Sequence, residues 1–300
     1  MRKPIIVVDR KSKQPFEENV YGRAFIEAFY GKPSKLYAFF LPLFAGYRFF
    51  SMLYGFIQKS PFSKKKVKPF IAKFGVDEKE FLLPTDAFTS FNDFFIRKLK
   101  KEARPIEPAD EVAVLPADGR YLVYPNIEMA DGFLVKGKKF SLEELFVDKD
   151  LAKKYEKGTM VIARLCPTDY HRFHFPCDCT PSQSVEIDGK LDSVNPLALQ
   201  RRIEIFSHNK RAYTLLDTTR FGKVAFFEIG AMCVGSIHNT YNPGTFCKKG
   251  DEKGYFSFGG SSLLLFFEPN KIILDDDLVA ASQEKREVLG LMGQSLGRAL

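Results

Sequence analysis

The 300-residue chain has no tryptophan, only four histidines, and five cysteines, none of them before Cys166. An odd number of late cysteines excludes an evenly paired disulfide framework and points to a reducing compartment. Internal repeats and low-complexity tracts are absent too. The opening stretch carries a four-residue apolar run, Ile5–Val8, too short for the core of a secretory signal. With 45% hydrophobic and 27% charged residues, disordered and collagen-like classes are also excluded.

What is present is unevenly distributed. There are 31 Phe and 12 Tyr, and the net charge is +8. Residues 1–107 hold 21 Lys and Arg against 11 Asp and Glu, a net of +10, so the remaining 193 residues carry −2. The basic excess lies in an aromatic-rich arm, the composition of a partner for a polyanion. Within it, Leu36–Ile57 holds nine aromatics and one charge, Arg48, in 22 residues. At about 1.5 Å per residue that length could cross a ~30 Å hydrocarbon core. Arg48, Pro42, Gly46 and Ser51 interrupt it, and aromatics throughout the run favour the interface. The arm therefore reads as a monotopic, interfacial helical hairpin, with Lys59 and the Ser63–Lys68 run facing anionic headgroups. A true span and a buried core helix are the alternatives. Nucleic acid is set aside, because the basic residues adjoin a greasy segment rather than interleave with exposed aromatics on a polar one. A short helix is expected after Ser90, capped by Ser90 or Asn92 and ended by Pro105.

After Pro108 the pattern changes to apolar runs of four to eight residues punctuated by turns, which predicts a β-rich body. Helical patterns occur only at Leu142–Val147, Leu151–Glu156 and Glu287–Leu300. Four places could carry chemistry. Leu115–Gly119 is good turn chemistry around Asp118. Arg164–Cys179 concentrates His171 and His174 with Cys166, Cys177 and Cys179. On a strand, residues three apart point to opposite faces, so the two imidazoles do not converge on one ion and no metal is expected. Glu228–His238 reads as a core strand with glycines. Gly254–Phe266 sets Gly259, Gly260, Ser261 and Ser262 inside an aromatic strand pattern, either as a bulge or as a bare Gly260 carbonyl open to the next hydroxyl.

Together and in order, these elements resemble the phosphatidylserine decarboxylases, a family of pyruvoyl-dependent membrane enzymes. The resemblance runs from about Ser90 to the end, through FNDFFIRKLKKEARPI, PADG, CPTDYHRFHFP, SVNPLAL, IGAMCVGSI and KKGDEKGYFSFGGSS. This chain has Gly259-Gly260-Ser261-Ser262 where the family commonly has Leu-Gly-Ser-Thr. It also departs at Leu216–Arg220, where the family commonly has an Asn-Glu-Arg element.

The resemblance implies a proenzyme that cuts itself between Gly260 and Ser261. Ser261 would attack the Gly260 carbonyl and, by acyl shift, elimination and hydrolysis, become the covalent pyruvoyl cofactor. By motif position His174 is the base and Asp118 the acid that orients it, while His171 is left for decarboxylation through a Schiff base. Also implied are phosphatidylserine and an anionic membrane surface as partners, cleaved chains that stay associated, room for a homodimer, and a peripheral or monotopic place on the cytoplasmic side of the cell membrane. The expected fold class is α+β, with a helical membrane-associating region over residues 1–107 and a mainly antiparallel catalytic body over 108–300. A lipid-surface Ser-His-Asp hydrolase and a non-catalytic lipid-binding homologue are the alternatives.

Overall fold

A computed structural model of the chain describes residues 4–19, 55–130, 141–195, 199, 204–231, 236–259 and 261–300. Its centre is a ten-stranded sheet. Across the sheet the strands run Pro15–Glu17, Ile6–Asp9, Glu287–Gly290, Gly119–Tyr124, Thr159–Leu165, Ser261–Phe267, Lys223–Gly230, Arg211–Thr218 and Cys179–Pro181, with Val185–Ile187 also on Arg211–Thr218. Only the pairing of Ile6–Asp9 with Glu287–Gly290 is parallel.

The apolar runs are continuous because the central strands are covered on both faces. Alternate residues part company: Tyr121, Val123, Val161, Ala163, Leu263, Leu265 and Phe226 enter one core. Leu122, Tyr124, Met160, Ile162, Leu264, Phe266 and Phe227 enter the other. Two three-stranded sheets cover the first face. One joins Ile237–Asn239, Glu252–Phe256 and Arg172–His174; the other joins Ile272–Leu274, Ser295–Ala299 and Val112–Val114. Short helices cover the second face. Leu142–Phe146 is capped by the Ser141 hydroxyl, and Lys149–Tyr155 by the Asp148 carboxylate. Phe146 stacks on Tyr155 between them at 5.3 Å.

A third core, almost all phenylalanine, gathers Phe70, Phe81, Phe88, Phe91, Phe94 and Phe95 around Phe258. It is built by the helices Val67–Phe74 and Phe91–Phe95, the second capped by Ser90 Oγ as expected. That second helix stops ten residues short of Pro105, because Leu99 leaves it to bridge Phe81 in extended pairing.

The helical arm is corrected in part. Most of the Leu36–Ile57 hairpin, residues 36–54, lies outside the described residues, and no helix among those described is long and apolar enough to cross a membrane. The described start of the arm is extended: Ile6–Asp9 and Pro15–Glu17 are strands of the central sheet. Residues 1–107 are thus joined to the body at the sheet and again at the phenylalanine core, through Phe258. The helix expected over Glu287–Leu300 is instead two strands, Glu287–Gly290 and Ser295–Ala299. Gly293 turns the chain between them at φ +89°, and pairing on both strands outweighs a weak helical pattern. A helix the pattern does not announce, Asp276–Gln283, buries Leu278 and Ser282.

Candidate active site

Ser261 opens a central strand, in register between Leu165 and Gly230. Because the strand alternates, Ser261 and Ser262 face opposite sides of the sheet. Both are fully buried. Ser261 Oγ lies 3.4 Å from His171 Nδ1, a loose contact in line with a group awaiting its reaction. Among the described residues Ser262 Oγ has no hydrogen-bond partner. The scissile position, Gly260, lies outside the described residues. Gly259 before it has φ +142°, a conformation that only glycine adopts without strain.

The chain leading to this point is tied down. Phe258 N–H donates to Asn92 Oδ1 at 2.9 Å, and Phe256 N–H donates to the His171 carbonyl at 3.0 Å. The Phe258 ring packs on Phe91 and Phe95.

His171 is held on three sides. Its ring stacks on Phe95 at 3.8 Å, and Nε2 lies 2.8 Å from the Cys166 carbonyl. A carbonyl only accepts, so Nε2 carries the proton and Nδ1 turns a lone pair toward Ser261. Burial pushes the imidazole down to about 3, and Arg97 and Arg120 add to that push, so it is neutral near pH 7.

His174 stands elsewhere. It is buried near the Tyr170 ring, Nδ1 has no hydrogen-bond partner among the described residues, and burial lowers its pKa to about 4. Asp118 accepts from Arg104 Nε at 2.9 Å, from Arg104 Nη2 at 2.6 Å and from the Met292 N–H at 2.9 Å. Among the described residues no hydrogen bond joins Asp118 to His174 or His174 to Ser261, although Asp118 lies close enough to raise the proton affinity of His174; the contact made by Ser261 is with His171. The physical reason for the missing Asp118 bond is the buried Arg104 guanidinium, which takes the carboxylate in a bidentate fork, its remaining edge paired with Glu80 at 2.9 and 3.0 Å. The strand covers only Arg172–His174, so His171 lies just before it and alternation along the strand does not by itself set the two imidazoles on opposite faces.

Several site residues escaped the sequence reading. Asn92 and Phe95 sit inside the FNDFF run, whose buried aromatic pattern is the one signal for them. Cys166 and Asp169 lie in the motif itself but act through a backbone carbonyl and a turn. Glu18, buried against Arg120 and Arg164, has no local signal at all. On the same face as Ser261, one strand over, Glu228 pairs with Lys253, both fully buried, and Lys253 Nζ lies over the Phe226 and Tyr241 rings. No group of His, Cys, Asp and Glu among the described residues is arranged to hold a metal.

A buried hydroxyl and a buried, neutral imidazole with its lone pair turned toward it suit proton removal from a serine. The profile of the phosphatidylserine decarboxylase family matches residues 91–298. A phosphatidylserine decarboxylase proenzyme of Chlamydia pneumoniae is 46% identical over 299 residues, covering 100% of this chain and 98% of that protein. One of Clostridium novyi is 46% identical over 296 residues, covering 99% and 100%. One of Chlamydia muridarum is 50% identical over 249 residues, covering 83% of each.

Proposed function

Because the chain belongs to the phosphatidylserine decarboxylase family, we propose that it converts phosphatidylserine to phosphatidylethanolamine, using a pyruvoyl group made from Ser261. The observation that carries this reading is the buried contact between Ser261 and His171 at the start of a central strand. The residues fit the group: residue 261 is buried, follows two glycines and faces an imidazole.

In the self-cleavage, Ser261 Oγ attacks the Gly260 carbonyl carbon while its proton passes to His171 Nδ1. The C–N bond between the two residues breaks, leaving residue 260 esterified to the serine oxygen. Loss of the α-proton and of the Gly260 carboxylate, then hydrolysis with release of ammonia, leaves the pyruvoyl group. When formed, it supplies a ketone able to take up the substrate amine and to accept the electron pair left as CO₂ departs. In that second reaction His171 stands beside residue 261, placed to hold or return a proton. Asp118 holds the adjoining wall through Arg104 and Met292. A second reading keeps His174 as the cleavage base; its buried, unpartnered Nδ1 and the nearby Asp118 carboxylate, which raises its proton affinity, favour it.

The cut chains stay together in this reading. Ser261–Phe267 is paired on both edges, and Ile272–Leu274, Glu287–Gly290 and Ser295–Ala299 each pair with strands of the longer fragment or of one another. Membrane association is supported by Phe56 and Phe62, 73% and 84% exposed, beside Lys64, Lys65 and Lys68. Free thiols at Cys166, Cys177, Cys179 and Cys247 agree with a cytoplasmic side.

The deciding experiment is the intact mass of the purified, denatured protein. A 260-residue and a 40-residue chain, the smaller blocked at its N-terminus, are expected, together with release of CO₂ from phosphatidylserine vesicles. A single full-length chain that is inactive on those vesicles would overturn the reading and favour a lipid-binding homologue.

A further inference from the structure

Cys179 starts the outermost strand of the central sheet, Cys179–Pro181, and Cys247 faces it across an isolated antiparallel bridge. The bridge is a closely spaced pair: the Cys179 N–H donates to the Cys247 carbonyl at 3.0 Å, and the Cys247 N–H returns the bond at 2.9 Å. Such a pair sets its Cα atoms about 5.5 Å apart, with both side chains on one side of the ladder. A disulfide spans Cα separations of roughly 4.4–6.8 Å, most often about 5.5–6 Å. Both residues are free thiols, and Cys247 lies close enough to raise the proton affinity of Cys179. The bridge also ends a ladder that begins at the site. Arg172–His174 pairs with Glu252–Phe256, the Phe175 N–H then donates to the Asp251 carbonyl and the Gly250 N–H to the Phe175 carbonyl, each at 2.9 Å, and the cysteines follow. The two segments so joined carry His174 and the run that leads to Gly259.

We propose that Cys179 and Cys247 are a modification site: a dithiol that a small disulfide of the glutathione disulfide class oxidises to a reversible disulfide within the chain, clamping the ladder behind the active site. Cys247 is the half-buried partner and the one a reagent reaches first, while Cys179 is buried. The Cys247 thiolate attacks one sulfur of the oxidant, whose S–S bond breaks and releases one small thiolate. The Cys179 thiolate then attacks the Cys247 sulfur of this mixed disulfide, and the second small thiolate leaves. Two electrons pass from the cysteines to the oxidant, and the two protons given up by the thiols go to the released thiolates. A small reduced thiol runs the same steps backward. Burial pushes the Cys179 thiol up, with Cys177, Cys247 and Asp178 adding to the push and Lys253 opposing it, so the second attack is the slow one. Burial raises the Cys247 thiol too, with Asp251 adding to it. Because the backbone bridge already holds the pair at the span of a disulfide, closure asks for little movement. The cross-link joins positions 68 apart in sequence, a loop long enough to restrict the unfolded chain.

The test uses the purified full chain. Both cysteines precede Gly260, so the link is read in the same stretch whether or not the chain is cut. The protein is incubated with glutathione disulfide at about pH 8, where a thiolate fraction is present. It is then unfolded, alkylated and digested without reduction, and its peptides are weighed. The expected result is three alkylated cysteines in place of five, with a cross-link that persists in Cys177→Ala and Cys233→Ser and is lost in Cys247→Ser and Cys179→Ala. Oxidation should raise the melting temperature by about 5 °C, dithiothreitol should reverse the rise, and Cys247→Ser should show none. Should Cys179→Ala not fold, Cys247→Ser at the half-buried position decides together with the identity of the linked peptides. Five alkylated cysteines after oxidation, a link that survives Cys247→Ser, or a glutathione adduct on Cys247 that never passes to Cys179 overturns the proposal. A link that forms but leaves the melting temperature unchanged or lower overturns the clamp.

Discussion

Ser261 and Ser262 are adjacent, chemically identical and fully buried, yet their substitutions should act in opposite ways. Ser261→Ala removes an oxygen whose one polar contact among the described residues is the 3.4 Å approach to His171. A bond that long contributes little, so the folded state should change by less than about 1 kcal/mol, while cleavage is abolished. Ser262→Ala removes an oxygen with no hydrogen-bond partner among the described residues. An unsatisfied buried hydroxyl costs roughly 1–3 kcal/mol, so its loss should stabilise the fold, by about 2 °C in melting temperature for each kcal/mol gained. Cleavage should continue at the parental rate. Denaturing mass spectrometry reads the cut, and thermal unfolding of each variant in a Ser261→Ala background reads the stability difference without the complication of maturation. Cleavage that survives Ser261→Ala and disappears with Ser262→Ala would refute the face assignment, since the strand's alternation would then be out of register by one residue.

Comparison of His171→Ala with His174→Ala separates the two imidazoles: the first should stay intact and the second should be cut, and the reverse would restore the Asp118–His174 reading. Both imidazoles are held neutral by burial, with folded values of about 3 and about 4 against an unfolded value near 6.5. Their folded values being the lower ones, this stability is complete above about pH 6.5 and is lost as pH falls toward 4, by about 1.4 kcal/mol per pH unit for each histidine. Denaturant titrations at pH 7 and pH 5 measure it, and a loss unchanged in His174→Gln would remove that residue from the account. At the basic edge, Phe62→Ser with Lys64→Glu and Lys65→Glu should release the protein from phosphatidylserine vesicles, at about 1 kcal/mol per lysine, and leave cleavage intact. Undiminished co-sedimentation would move the membrane-facing surface elsewhere.

Much of the site was legible because its motifs are local. The Leu115–Gly119 turn, the Asp169–His174 segment and the Gly-Gly-Ser-Ser run each show their residue types within a few positions, and the short apolar runs announced strands. The helices at Leu142–Phe146 and Lys149–Tyr155 were equally readable, since their caps and buried positions lie within one or two turns. Readings that depended on distant partners fared differently. Ile6–Asp9 pairs with a strand some 280 residues away, and nothing in its own composition marks that neighbour. The Glu287–Leu300 stretch carries a helical pattern that strand pairing on both sides of each of its two segments overrides.

The same division runs through the chemistry. Sequence alone determines that Ser261 and Ser262 lie on opposite faces, because strand periodicity is a property of adjacent residues. Which imidazole reaches Ser261 was decided only in three dimensions, by a phenylalanine 76 positions upstream that stacks on His171 and by a carbonyl that accepts a hydrogen bond from its Nε2–H. Motif order had assigned Asp118 to an imidazole, but it went to Arg104, because a buried guanidinium is satisfied only by carboxylates that folding brings to it.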